Sequence, residues 1–110
     1  MTTNKSLKDL SRDQLGRKFI RKIDKAILLS NYLNGDECDL QFIDCEDRIR
    51  ARHAAWLRGL EVAVAGFKAI HDELVSRGRD PRNMCKRDFF DERIAKAKAA
   101  QVATPTKTGW

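Results

Sequence analysis

Several kinds of sequence are missing from this chain, and each absence removes a class of protein. No apolar run is long enough for a membrane span, which needs roughly 20 residues. The most apolar window, Ala54 to Phe67, is interrupted by Arg58 and Glu61. Met1-Thr2-Thr3-Asn4-Lys5 has no apolar stretch behind it, so no signal peptide is expected. The three cysteines, Cys38, Cys45 and Cys85, are an odd number without metal-type pairing. Free, buried thiols in a reducing compartment follow as the expectation, and with them a cytoplasmic location. Neither histidine has a close partner at zinc spacing. The acidic stretch fails the calcium-loop pattern because its glycine precedes the carboxylates. There is no phosphate-binding glycine loop and no nucleophile in an activating motif. No cofactor, no metal and no catalysis are therefore expected. Repeats and β-type alternation are absent too.

What is present is helical periodicity. From Glu46 to Arg77 the chain runs without a proline. Ile49, His53, Trp56, Leu60, Ala63, Phe67, Ile70 and Leu74 recur at steps of four and three, which places them on one seam of a helix. Leu57 and Val64 widen the seam to a stripe. Such a stripe has to be covered, by the rest of the chain or by a second copy. A first helix is predicted from Arg12 to about Leu33. Ser11 is its N-cap and Gln14 completes a capping box. Leu15, Phe19, Ile23, Ala26, Ile27 and Ser30 form its apolar face, and Asn34-Gly35 ends it.

The following stretch holds Asp36, Glu37, Asp39, Asp44, Glu46 and Asp47 with no basic residue between them. Carboxylates suit a helix N-terminus, and Asp36 or Asp39 is a suitable cap. The start of the central helix lies somewhere between Asp36 and Asp47. Gly78 is its expected C-cap residue, and Asp80-Pro81 resets the chain. A last helix is predicted from Lys86 to Gln101, burying Phe89 or Phe90, Ile94 and Ala97. The fold class is all-α: three main helices, an elongated hairpin with a long central helix plus a C-terminal helix. Residues 1–10 are expected to be flexible, 11–101 to form one domain, and 102–110 to form a disordered tail. An unbroken central helix implies an elongated molecule; otherwise it breaks near Gly59 or Gly66. Elongated hairpins often pair, so a homodimer is expected, with Trp56, Leu60, Ala63 and Phe67 at its interface.

Function is read from charge. The net charge of +6 favours an anionic partner. Arg17, Arg21 and Lys25 step by four along the first helix, flanked by Lys18 and Lys22, and such a row can engage phosphates. Arg79, Arg82 and Lys86, together with Arg77 and Arg87, make a second cluster at the junction of the last two helices. No helix-turn-helix pattern is present, and no aromatics interleave with the basic residues. The expectation is a small non-enzymatic regulatory protein that binds DNA or RNA through basic helical faces. The alternative is a protein-binding adaptor or inhibitor, of the kind a mobile element can encode, that meets an acidic protein surface through an apolar groove and charged blocks. The stretch Arg48-Ile49-Arg50-Ala51-Arg52-His53 resembles the Arg-and-His motif of the helical HEPN ribonucleases, in which both residues act on RNA, usually across a dimer. Ile49 departs from that pattern, where the family commonly has a polar residue. His53 also falls on the apolar seam, which reads as a packed histidine.

Overall fold

The structure is a computed structural model that describes residues 6–78 and 85–108. Among them are three α-helices: α1 (Arg12–Leu40), α2 (Asp47–Ser76) and α3 (Cys85–Val102). A single 3-10 turn, Leu7–Asp9, precedes α1. The capping box at the start of α1 forms as the sequence predicts. Gln14 N donates to Ser11 Oγ at 3.2 Å, and Ser11 N donates to Gln14 Oε1 at 2.8 Å. At the other end of α2, Gly78 adopts φ 81°, the left-handed conformation that closes a helix.

The facing pairs of α1 and α2 run in opposite order. Phe19 meets Phe67, Lys22 meets Gly66, Leu29 meets Gly59, Tyr32 meets Trp56 and Asp36 meets Arg52. The two helices are thus antiparallel over nearly their whole lengths. The α3 helix lies across both and antiparallel to α2, with Phe90 packed edge-on to Phe67 at 5.6 Å. Its first turns are held by Arg87, which donates to His71 Nδ1 at 3.0 Å and to Asp72 Oδ1 at 2.8 Å. The guanidinium holds the Asp72 carboxyl below its usual range.

The predicted seam is the core. His53, Leu57, Leu60, Ala63, Val64, Phe67, Ile70 and Leu74 are buried from α2, and Leu15, Phe19, Ile23, Ala26 and Ser30 from α1. Ile49 and Trp56 are half-buried. Ile27, expected on the buried face, is 38% exposed at its edge. On α3 Phe90 and Ala97 are enclosed, whereas Phe89 is exposed. Leu60, Ala63 and Phe67, assigned to a dimer interface, lie in the interior of this chain, which covers its own stripe with α1 and α3.

The first helix continues past Asn34-Gly35, contrary to its predicted end. Propensity at a helix end is worth about 1 kcal/mol at most for a glycine. Against it, Leu33 and Leu40 are buried, and Asp36 and Glu37 bond to the other helices. Tertiary contacts therefore carry α1 two further turns. For the same reason neither Asp36 nor Asp39 caps the central helix; α2 begins at Asp47, after Glu46. Nor does α2 break at Gly59 or Gly66. It runs 30 residues, about 45 Å at about 1.5 Å per residue. Those glycines instead receive α1: a Cβ at Gly59 would stand 3.3 Å from Leu29 Cδ1, and one at Gly66 would stand 3.1 Å from Lys22 Cε. The molecule measures 55 × 35 × 18 Å, with a radius of gyration of 17.1 Å. A compact domain of this size would have about 13 Å, so the elongated hairpin is realised.

After α3 the chain turns back. Lys107 N donates to Gln41 O at 3.0 Å, and Ile43 N donates to Lys107 O at 2.9 Å. These bonds tie residues 103–108 to the α1–α2 loop. Among the described residues no helix is long and apolar enough to cross a membrane.

Candidate nucleic-acid interface

The basic row of α1 lies on one outer flank of the hairpin. Arg17, Lys18, Arg21 and Lys25 are exposed and Lys22 is half-buried. Lys22 lays its aliphatic stem over Gly66, where the missing side chain makes room. That is the usual behaviour of a lysine at an apolar boundary: the stem packs and the ammonium stays in water. Among the described residues, no carboxylate pairs with any of these five cations. Their charges fall within about 12 Å of axial rise, at about 1.5 Å per residue.

The acidic stretch does not neutralise this row, because its first two carboxylates are engaged elsewhere. Asp36 is buried and receives Arg52 in a fork: Nη2 to Oδ1 at 2.6 Å and Nε to Oδ2 at 3.1 Å. That hydrogen bond holds the Arg52 guanidinium even more firmly protonated than usual. Glu37 is also buried and takes His53 and Arg93 on one oxygen, Oε2. Asp39 remains exposed beyond them.

The flank does not stop at Lys25. One step of three and then one of four beyond Lys25 reach Leu28 and Tyr32, both exposed, at 49% and 43%. The Tyr32 ring stacks on Trp56 of α2, with centroids 4.7 Å apart and planes inclined by 30°. The Arg52 guanidinium stands 4.9 Å from the centre of the Trp56 ring. Sequence reasoning did not single out Tyr32. The signal was its spacing of seven from Lys25, two turns along the same flank. Its partnership with Trp56 depends on the packing of two helices and has no local signature.

Of the second basic cluster, only Arg77 and Arg87 have side chains among the described residues. Arg79 and Arg82 lie outside the described residues. Lys86 lies in the first turn of α3. Arg77 bonds the Leu7 and Lys8 carbonyls, both at 3.1 Å, and pairs with Glu73. Arg87 is held by Asp72 and His71. The junction thus does share an end with the start of α1, but Arg77 and Arg87 serve there as fasteners.

His53 is fully enclosed, with Glu37 on Nε2 at 2.9 Å and Gln101 on Nδ1 at 2.5 Å. Neither ring nitrogen faces solvent, where a phosphodiester would have to approach. Arg48 points outward to Glu46 at 3.2 Å. The Arg-and-His resemblance therefore finds no shared surface site. The cysteine expectation also needs correcting: Cys38 is exposed and Cys45 half-buried. The continuation of α1 puts Cys38 on its outer face, and Cys45 lies in the loop rather than on a helix. Among the described residues no cluster of three or more His, Cys, Asp or Glu side chains is placed to hold a metal ion. No protein-family model, no curated protein and no solved structure matches this chain.

Proposed function

We propose that this chain is a non-enzymatic nucleic-acid-binding protein that engages phosphates through the α1 flank formed by Arg17, Lys18, Arg21, Lys22 and Lys25. One observation carries the reading. These five cations are unpaired among the described residues, while the nearest buried acids, Asp36 and Glu37, are bonded to Arg52, His53 and Arg93. Asp13 and Asp24 of α1 border the row without pairing to it, and the net positive field that remains attracts a polyanion and contributes sequence-independent affinity. The deciding experiment is a salt-dependent titration of oligonucleotides against wild type and the double variant Arg17→Glu/Arg21→Glu. Binding that is steep in salt for wild type and weak for the variant supports the reading; identical curves overturn it.

A second reading has its own observation. Ile20, Ile27 and Leu28 of α1 are 58%, 38% and 49% exposed. Apolar side chains on the outer surface of a helix suit a protein partner. An adaptor of this kind would bind nucleic acid weakly and would be indifferent to Arg17 and Arg21.

A further inference from the structure

We infer that the α1 flank binds single-stranded rather than duplex nucleic acid, with a base stacking on Tyr32 where the phosphate-binding row ends; this rests on the phosphate-binding reading above. The aromatic within the basic stretch, Phe19, is buried in the core and offers no free ring, but folding supplies an exposed one further along. Arg17, Arg21, Lys25, Leu28 and Tyr32 follow one flank of α1 over about 22 Å, at about 1.5 Å per residue. The row thus begins in cations and ends in an exposed aromatic ring, 43% accessible. A groove of positive charge that tracks the backbone, joined to an aromatic platform, is how single strands are held without sequence preference.

The platform is fixed before any ligand arrives. Tyr32 rests on Trp56 at 4.7 Å, and Arg52 stands 4.9 Å from the Trp56 ring. Arg52 is in turn gripped by both oxygens of Asp36, whose side chain is only 4% exposed. Each group in this chain of contacts touches the next, and the chain ends on the buried Asp36. A base that stacks on Tyr32 therefore orders little that is not already ordered, which lowers the entropic cost of binding. Leu28, one turn earlier, gives an apolar floor between the last cation and the ring. In a duplex the bases are already stacked on their neighbours, and a ring beside the helix finds no free face. An unpaired strand offers one at every nucleotide. The selectivity thus comes from Tyr32, and the cations alone would not provide it.

The test compares oligothymidylate with an abasic deoxyribose-phosphate oligomer of equal length and with a duplex, at one low salt concentration. Both single strands present the same phosphates, so any difference between them reports the bases. Stacking of even one base predicts that oligothymidylate binds at least about fivefold more tightly than the abasic strand. Tyr32→Ala should erase that preference while leaving abasic binding in place. Tyr32→Phe keeps a ring and should retain it. A far-UV melting curve checks that each variant is folded, and the wild-type comparison needs no variant. Equal binding of the two strands by wild type overturns the inference, as does a preference that survives Tyr32→Ala in a folded protein. If the strands bind equally but Arg17→Glu/Arg21→Glu abolishes both, the phosphate reading stands and only the stacking falls. If neither strand binds, both fall together.

Discussion

Arg93 of α3 donates Nη2 to Glu37 Oε2 of α1 across 2.5 Å, and both side chains are more than nine-tenths buried. The same oxygen lies 2.9 Å from His53 Nε2, so one carboxylate joins all three helices. The tautomer that satisfies both neighbours of His53 has its hydrogen on Nε2, donating to Glu37. Nδ1 then accepts from the Gln101 amide. The arrangement is incomplete. Among the described residues, Glu37 Oε1 and Arg93 Nε and Nη1 are buried without a hydrogen-bond partner. A buried pair of this kind adds little net stability, because desolvation offsets most of the attraction. Its effect is to fix where α3 sits on the hairpin: sliding α3 would strand a guanidinium in the interior.

Breaking that pair from one side should be costly. Glu37→Gln leaves Arg93 charged and buried without its counter-charge, and should destabilise the protein by about 3–5 kcal/mol. Arg93→Met alone leaves the carboxylate with only His53. The double variant Glu37→Gln/Arg93→Met removes both charges and keeps an amide oxygen for His53 Nε2. It should recover most of the loss. Urea unfolding of the four proteins measures this directly. If the double variant is as unstable as the sum of the two single ones, the residues are not coupled.

The helix seams were legible because period 3.6 is a local property. Every position expected on the α2 stripe is buried or half-buried, and His53 is the packed histidine its place on the seam implied. The Ser11–Gln14 box and Gly78 were legible for the same reason. What could not be read depends on contacts distant in sequence. Asn34-Gly35 has the chemistry of a helix end, yet α1 continues because Leu40, Asp36 and Glu37 have partners in other helices. The acidic stretch looked like a cap because nothing local distinguishes a capping carboxylate from one gripped by Arg52. Tyr32 and Arg93 carry no motif; one gains its meaning from Trp56 and the other from Glu37.

The glycines of α2 should separate under substitution. The atoms nearest a Cβ at Gly66 belong to Lys22, with Cε at 3.1 Å, and a lysine stem can swing away. Alanine also favours the helix by roughly 1 kcal/mol over glycine. Gly66→Ala should therefore leave the melting temperature unchanged or raise it. At Gly59 the neighbour is Leu29, 3.3 Å away and itself buried. A core leucine has less room to shift, so Gly59→Ala should gain less or lose stability. Thermal melts that rank the two variants the other way would mean the α1–α2 contact is looser at Gly59 than at Gly66.

The two described cysteines should differ in reactivity. Cys38 is exposed. Cys45 is half-buried, and desolvation pushes its thiol up; Asp39, Asp36 and Asp44 add to this, with Arg50 partly opposing them. Alkylation needs the thiolate, so at mildly alkaline pH Cys45 should react more slowly than Cys38. Peptide mapping after brief iodoacetamide treatment gives the two rates side by side. Faster labelling of Cys45 would show that the α1–α2 loop opens more readily than its bonds to Lys107 suggest.

The last prediction concerns the charge of the α1 flank. Each phosphate neutralised on duplex DNA releases condensed counterions, which makes log affinity fall with log salt by about 0.9 per contact; for single strands the figure is about 0.7. Arg17 and Arg21 are exposed and make no ion pair among the described residues, so reversing both should leave the fold intact. The slope should then shrink by about 1.4 on a single strand, the sum of two lost contacts. Repulsion weakens binding further, and it does so alike for every sequence, because phosphate contacts carry no base information. An effect confined to particular sequences would place the contact on base edges instead. A slope equal to that of wild type would make the flank a solvated surface, and the exposed Ile20, Ile27 and Leu28 would then mark the face that a protein partner meets.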